Sequence, residues 1–550
     1  MNDLNIKRNR DIFIWSVLSV IIFNIITHGY RFSNNMYSHD SLLMIYQNDF
    51  AWQIALGRFV QPFLIFIRGS LCSPWLICIC AILWTSLSVY FLARLLKIDN
   101  LVGVILTAGV LVCNVTVVVA NASYLPWVDF YALACFLGIF GVWCLKQGSL
   151  IQNSSKGSIK KAFIWYLLGI MALVCSMGIY QSYICVAIGL AMMDILADLL
   201  EPSDFKVIVK KVVSYVLSLI VVALVYYVVW KCIQKIFHIW TANSYNGLAD
   251  VGDYSDTSII AVLRNTYTQV FDFLWNPDTF KSLIYRSYSF QNIWMWILRL
   301  ANLFIVAHIL VTIFLVNTKH KIALWQRALQ VVILLIFPFG INIVSFISKG
   351  MEHTLMIYAF MLIYILLLQL KSKRQIQLIY KMTEQQDIKE RETKISFSAM
   401  SKYLVFTLPF WLLIWSNIVY ANQVYLKKEL QAESTSLLMT RVVDDIEDME
   451  GYIPGKTPVA LYGNFQTSNY VRELPDFEEI MPYGMGKSSV TYIGADYSLL
   501  NYVLNVNMNL TRVDMEDADV MKQIYAMPCY PEKGSIDYIG DILVVKIAEF

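Results

Sequence analysis

At least ten long apolar stretches lie within the first 421 residues of this 550-residue chain. A bilayer core asks for about 20 apolar residues per helical crossing. Inside it, only helices or closed barrels satisfy every backbone polar group. The stretches have helix length and lack the alternation of barrel strands, so the chain must fold as a bundle of membrane helices. Composition agrees: 58% of residues are hydrophobic and 15% charged, against about 25% charged in an ordinary soluble protein. Aromatic residues reach 14%, as expected where Trp and Tyr line membrane interfaces.

Apolar runs and loop charge predict about 11 spans, at 12–26, 74–93, 101–120, 128–145, 162–178, 183–200, 212–230, 293–316, 328–346, 354–370 and 403–420. Lys7-Arg8-Asn9-Arg10 precedes the first run without a small-residue cleavage site after it, which reads as an uncleaved span with a cytoplasmic N-terminus. Basic clusters then fall on one side: Arg94 and Lys97, Lys146 to Lys161, Lys206 to Lys211, and Lys319 to Arg327. That alternation obeys the positive-inside rule. It puts the loops at 29–73, 121–126, 180–182, 231–292 and 349–353 outside.

Charge divides the chain. Residues 1–421 carry +13 and residues 422–550 carry −10. The first part is expected to be a polytopic transmembrane domain. The second is expected to be a small extracytoplasmic α/β domain, with a helix over 431–450 and strands over 458–463 and 541–548. No basic-aromatic patch suggests nucleic acid. Nine of the ten cysteines lie in or beside apolar runs, and no CxxC pair supports a metal or disulfide framework. No metal or cofactor is expected. The Asp250, Asp253 and Asp256 run is acidic but lacks the rest of a calcium loop, so it reads as solvated.

The chemistry-bearing residues gather at the outer loops. Asp40, in Ser38-His39-Asp40, opens a short apolar helix after the first span, and a carboxylate beside the membrane is a functional candidate by default. It could equally cap that helix. Asp49 follows nine residues later, about 180° around on a continuous helix, so the two acids would face apart. Arg58, in Gly57-Arg58-Phe59, carries the planar fork that suits a phosphate, although it could also snorkel to headgroups. Arg31, Arg68, Arg299 and Lys349 share that ambiguity. Arg299 sits inside an apolar run near its outer end, where a phosphate or carboxylate partner is expected. Asp129, Glu352 and His353 also lie at outer span ends. Asp194 and Asp198 lie near an inner end and are expected to cap or solvate their helix.

The first outer loop with Ser38-His39-Asp40 and Gly57-Arg58-Phe59, then Ala93-Arg94-Leu95-Leu96, Ile179-Tyr180-Gln181-Ser182-Tyr183 and Tyr420-Ala421-Asn422-Gln423 resemble the GtrII family of bacterial membrane glucosyltransferases over nearly the whole chain. The resemblance implies a GT-C-like fold in the plasma membrane and an active site at its outer face. It implies undecaprenyl-phosphate glucose, or another polyprenyl-phosphate-linked sugar, as donor. A surface polysaccharide such as O-antigen or a wall polymer would be the acceptor. Asp40 would be the base. Relatives with two adjacent acids differ from the Asp40-Ser41 found here. A transporter or flippase for a lipid-linked envelope precursor is the competing reading. It is weakened by the odd span count, the lack of matching halves and the placement of charges at span ends rather than at the midplane.

Overall fold

The structure is a computed structural model that describes residues 2–46, 50–70, 72–152, 158–242, 254–255, 257–276, 289–351, 353–372, 397–472, 487–488 and 493–549. Asp49, Glu352, Asp250, Asp253 and Asp256 lie outside the described residues. The chain is a polytopic helical membrane protein with a small stranded region at its C-terminal end. Among the described residues nine helices are long and apolar enough to cross a membrane, and ten if a bent pair counts as one span. A shorter apolar helix, Tyr358–Ser372, stands where the sequence predicts a further span.

The helices are α1 (Asn2–Ser33), α2 (His39–Tyr46), α3 (Phe50–Ala55), α4 (Gln61–Arg68), α5 (Pro74–Leu96), α6 (Leu101–Val112), α7 (Val115–Ser123), α8 (Val128–Gln152), α9 (Ile159–Ile179), α10 (Ile184–Leu199), α11 (Phe205–Phe237) and α12 (Ile259–Trp275). They continue with α13 (Ser289–Lys319), α14 (Leu324–Ile341), α15 (Ile343–Ile347), α16 (Tyr358–Ser372) and α17 (Phe397–Glu447). The lipid-facing sides are apolar: Leu224, Val228, Phe314 and Leu335 are exposed, as expected where lipid rather than water is the solvent. Helix α12 lies in a stretch that the sequence reads as a loop. Its apolar residues are interrupted by Arg264, Asn265, Thr266, Thr268, Gln269 and Asp272, so a search for uniformly apolar runs passes over it.

Two local devices shape the bundle. Asn114 separates α6 from α7, which meet at 42°. Its side chain accepts the Val117 N–H at 3.2 Å and donates to the carbonyls of Val110 and Leu111. It thus caps one helix and satisfies carbonyls at the end of the other, which allows a break inside protein at membrane depth. Gly141 and Gly169 let α8 and α9 approach closely, since a Cβ on Gly169 would come within 2.9 Å of the Gly141 carbonyl.

Helix α17 runs unbroken through residue 421 into the C-terminal region. There β1 (Pro458–Tyr462), β2 (Asn509–Leu510), β3 (Ile536–Ile539) and β4 (Ile542–Lys546) form one sheet in the order β2-β1-β4-β3, with α18 (Ile493–Ser498) and α19 (Ala518–Ala526) alongside. Strand β1 is parallel to β2 and β4, and β3 is antiparallel to β4. Leu42 of α2 joins the core of this region with Leu438, Met439, Leu499 and Leu543. The helix that carries Asp40 is therefore gripped by the C-terminal region as well as by the bundle.

At the opposite end of the bundle the expectation for Asp194 is corrected. It does not cap or face solvent. It is buried, paired with Lys146 at 2.6 Å and Lys211 at 2.5 Å, and accepts the Tyr215 hydroxyl at 2.9 Å. Lys211 also reaches the more exposed Asp198. The partners are far apart in sequence, which hid the cluster. Replacing Asp194 with Ala strands two partly buried ammonium groups and is expected to cost about 3–5 kcal/mol of stability. Asp198→Ala should cost less than about 1 kcal/mol. Thermal unfolding of the detergent-solubilised protein checks both values.

Candidate functional site

The site forms at the end of the bundle that carries the C-terminal region. Asp40 lies in the first turn of α2, half-buried, where the helix dipole favours a negative charge. The helix is started by Ser38, whose amide reaches the Ser41 hydroxyl at 2.7 Å and whose own hydroxyl donates to the Ser123 carbonyl at 2.9 Å. Trp127 then donates its indole N–H to Asp40 Oδ2 at 3.2 Å. Trp127 itself is buried between α7 and α8. The carboxylate is thus positioned by a short bridge segment from the bundle. The carboxylate is oriented by the indole and remains partly exposed.

The same bridge segment holds the other acid. Asp129 is buried and ion-paired with Arg68, which also donates to the Pro126 carbonyl at 2.8 Å and lies over the Phe130 ring. Asp129 is committed to this pair.

Arg58 is placed by two motifs that are distant in sequence. Gly57 has φ +80°, and its carbonyl accepts the Tyr226 hydroxyl at 3.1 Å. Gln181 donates to the Leu56 carbonyl at 2.6 Å and to Tyr226 at 3.0 Å, while Trp230 donates to the Ile54 carbonyl at 2.7 Å. The Val60 amide bonds the Gly178 carbonyl at 2.9 Å, and Gln61 reaches the Ile179 carbonyl at 2.9 Å. Gly57-Arg58-Phe59 and Ile179-Tyr180-Gln181-Ser182-Tyr183 are therefore one structural unit. It lays the Arg58 guanidinium over the Tyr180 ring, 4.8 Å from its centre, a contact that suits arginine's flat, weakly hydrated cation.

His353 closes the set. Its Nδ1 accepts the Leu355 amide at 3.1 Å, which leaves the neutral ring's proton on Nε2, 3.3 Å from the Tyr124 hydroxyl. Burial, reinforced by the nearby Arg58 charge, lowers its pKa from 6.5 to about 4. Lys349 sits on the neighbouring turn with φ 53°, and the following Gly350 carbonyl accepts from Asn265 and Gln269. Arg299 belongs to a different group: it donates to the Trp275 carbonyl at 2.9 Å and to Asn276, and it lies between the rings of Trp275 and Trp296. It fastens α13 to α12. Among the described residues no cluster of three His, Cys, Asp or Glu side chains is placed to hold a metal.

Beside Phe59 runs an apolar groove of about 540 Å³, lined by Phe50, Ile54, Phe59, Phe63, Phe66 and Phe237 among others. Phe63 and Phe66 are strongly exposed. Sequence reasoning missed Trp127, Tyr124 and Tyr226 as site residues. Each is an aromatic in an aromatic-rich chain, and only the hydrogen bond it makes sets it apart.

Two outcomes follow from this geometry. Gly57→Ala would overlap the Tyr226 hydroxyl and come within 2.8 Å of Gln181 Nε2, in a backbone conformation that disfavours Ala. It is expected to destabilise the protein by more than about 1 kcal/mol, read from thermal unfolding. For His353 the unfolded chain binds a proton between pH 6.5 and about 4 that the folded chain does not. Its contribution to stability is therefore full above pH 6.5 and lost as pH falls towards 4. His353→Gln should flatten that limb in a stability–pH series.

The family model for Glucosyl transferase GtrII matches residues 29–369, which span α2 to α16 and every residue of the site described above. No curated protein and no solved structure matches the chain. With more than half of its length matched, the chain belongs to the GtrII glucosyl transferase family.

Proposed function

We propose that this membrane enzyme transfers glucose, or another hexose, from undecaprenyl-phosphate sugar to a cell-surface polysaccharide such as O-antigen or a wall polymer. In this reading the reaction takes place on the outer face of a bacterial plasma membrane. The N-terminus is cytoplasmic, and residues 422–550 form an extracytoplasmic domain that helps to hold the acceptor. The acidic charge of those residues, set against basic loops at the other end of the bundle, supports that orientation.

The observation that carries the reading is the convergence of Asp40, Arg58 and the apolar groove on one end of the bundle. Asp40 bonds Trp127, Tyr124 of the same bridge bonds His353, and the Arg58 charge bears on His353. The groove starts at Phe59, next to Arg58. A lipid-phosphate sugar has three parts to match: an apolar chain, a phosphate and a sugar. Groove, Arg58 and Asp40 offer one group to each part.

The chemistry is a displacement at the anomeric carbon. The acceptor hydroxyl attacks, the bond from that carbon to the phosphate oxygen breaks, and the electron pair leaves on the carrier phosphate. Arg58 stabilises the charge that grows there, through a fork that matches phosphate geometry. The acceptor proton passes to the Asp40 carboxylate, which acts as general base. Asp49 is proposed as a second catalytic acid, and Glu352 and Lys349 as groups that bind the substrates. Asp129 takes part by holding Arg68 and the bridge in place.

The test is transfer in membranes supplied with polyprenyl-phosphate glucose and acceptor glycan. Asp40→Asn should lower the rate by about 10²–10⁴-fold with the protein still folded and inserted. Arg58→Ala should weaken donor binding, and Arg58→Lys should restore it only in part because the fork is lost. A fully active Asp40→Asn enzyme would move the base to another residue. Surface polysaccharide that keeps its composition when the gene is deleted would remove the acceptor assignment.

A further inference from the structure

Away from Asp40 and Arg58, four side chains of the C-terminal region meet at one edge of its sheet. Strands β1 and β4 are parallel and end side by side. The Ile547 amide donates to the Tyr462 carbonyl at 2.8 Å, and the Tyr530 amide to the Lys546 carbonyl at 2.8 Å. In open sheets of parallel strands, ligands bind beyond such carboxyl ends. At this edge Tyr530 donates its hydroxyl to Asp445 of α17 at 2.7 Å. The ring of Tyr470, from the stretch that follows β1, stands edge-on to the Tyr530 ring with centres 6.4 Å apart. Arg441, one turn before Asp445, donates to the Tyr470 hydroxyl at 3.1 Å and lies 5.9 Å from the centre of its ring.

Arg441 and Asp445 are four positions apart on one helix, the spacing at which opposite charges commonly pair. Here each turns to a tyrosine instead. Tyr530 is buried, whereas Arg441 and Asp445 are exposed and Tyr470 is 43% exposed. The other face of α17 is fixed by Val442, Val443 and Ile446 in the core. A ring face, a guanidinium and a carboxylate are thus held open to solvent on rigid supports. That set suits a sugar. Its C–H face rests on a ring, and its hydroxyls donate to a carboxylate and accept from the arginine fork. Tyrosine offers such contact area at little entropic cost. Residues 422–550 carry −10, which opposes a polyanion and favours an uncharged chain. Ser436, five positions before Arg441, bonds Tyr37 of the loop that leads to Asp40. The cluster therefore begins about 7.5 Å further along the helix axis, a separation that a short oligosaccharide spans.

We propose that Tyr470, Arg441 and Asp445 form a binding site for an uncharged stretch of the acceptor glycan, with Tyr530 as the buried post that positions them. The inference rests on the reading that the C-terminal region holds the acceptor, and it gives that reading a surface and a chemistry. It does not depend on Asp40 being the base or on Arg58 holding the carrier phosphate.

The experiment measures binding of the full chain, in phosphatidylcholine nanodiscs and without donor, to surface polysaccharide from a strain that lacks this gene. The polysaccharide is freed of lipid and protein and separated into uncharged and anionic fractions. The uncharged fraction should bind. Tyr470→Ala should weaken it by about tenfold or more, Arg441→Ala should weaken it too, and Tyr470→Trp, which keeps a ring face, should keep most of it. In transfer assays Tyr470→Ala should raise KM for the glycan and leave kcat and the affinity for polyprenyl-phosphate glucose unchanged, a split that a general loss of folding would not produce. Parent-like binding by both Tyr470→Ala and Arg441→Ala would overturn the proposal. So would binding of the anionic fraction alone, or binding that disappears once the fraction is cleared of protein. A chain that binds glycan through Tyr470 but transfers no sugar would leave this site standing and remove the proposed function. Transfer whose KM for the glycan ignores Tyr470 would remove this site alone.

Discussion

The nine residues from Asn121 to Asp129, where the bent pair α6–α7 turns into α8, hold the candidate site together. Arg31 donates to the Asn121 carbonyl, Ser38 to that of Ser123 and Arg68 to that of Pro126. Tyr124 meets His353, Trp127 meets Asp40, and Asp129 meets Arg68. A buried turn must find partners for its backbone carbonyls inside the protein. Here the partners are the charged and polar side chains of the first loop. The demand that satisfies the turn is therefore the same one that fixes the geometry of the site. The 42° break at Asn114 upstream sets where this turn emerges.

A second constraint acts from the other side. Helix α2 is only eight residues long and could not hold a conformation alone. Asp40 ties it to the bundle through Trp127, while Leu42, two positions on, is fully buried in the core of the C-terminal region. Helix α17 carries that region as a rigid extension of a membrane helix, and Tyr37 bonds to it at Ala432 and Ser436. Asp40 and the C-terminal region are thus linked through α2.

Much of the architecture was legible in the sequence because membrane helices announce themselves through apolar length. The spans from 74–93 to 293–316 each correspond to a helix of the structure except 101–120, which falls on the bent pair α6–α7, and Pro458, Tyr462 and Ile542 fall in strands where short apolar runs predict them. The short apolar helix Tyr358–Ser372 and α12 mark where that signal weakens, since one is short and the other is interrupted by polar residues. Site residues were legible as residue types but not as partners. The Gly57-Arg58-Phe59 motif and the motif around Gln181 are separated by more than 100 positions, and nothing local says that Gln181 holds the Leu56 carbonyl. Arg299 shows the converse. An arginine inside an apolar run suggests an anionic partner, yet its structural neighbours are a carbonyl, an asparagine and two indoles.

The central claim is that the bridge segment orients Asp40 for proton transfer through Trp127. Single-turnover sugar transfer by Trp127→Phe measures this most directly, since the substitution keeps the buried ring and removes only the N–H that reaches the carboxylate. The account predicts a clear loss in the rate of the chemical step, on the order of tenfold or more for a misoriented base, with donor affinity unchanged. Transfer at the parent rate would contradict it and would mean that Asp40 either needs no such orientation or is not the base.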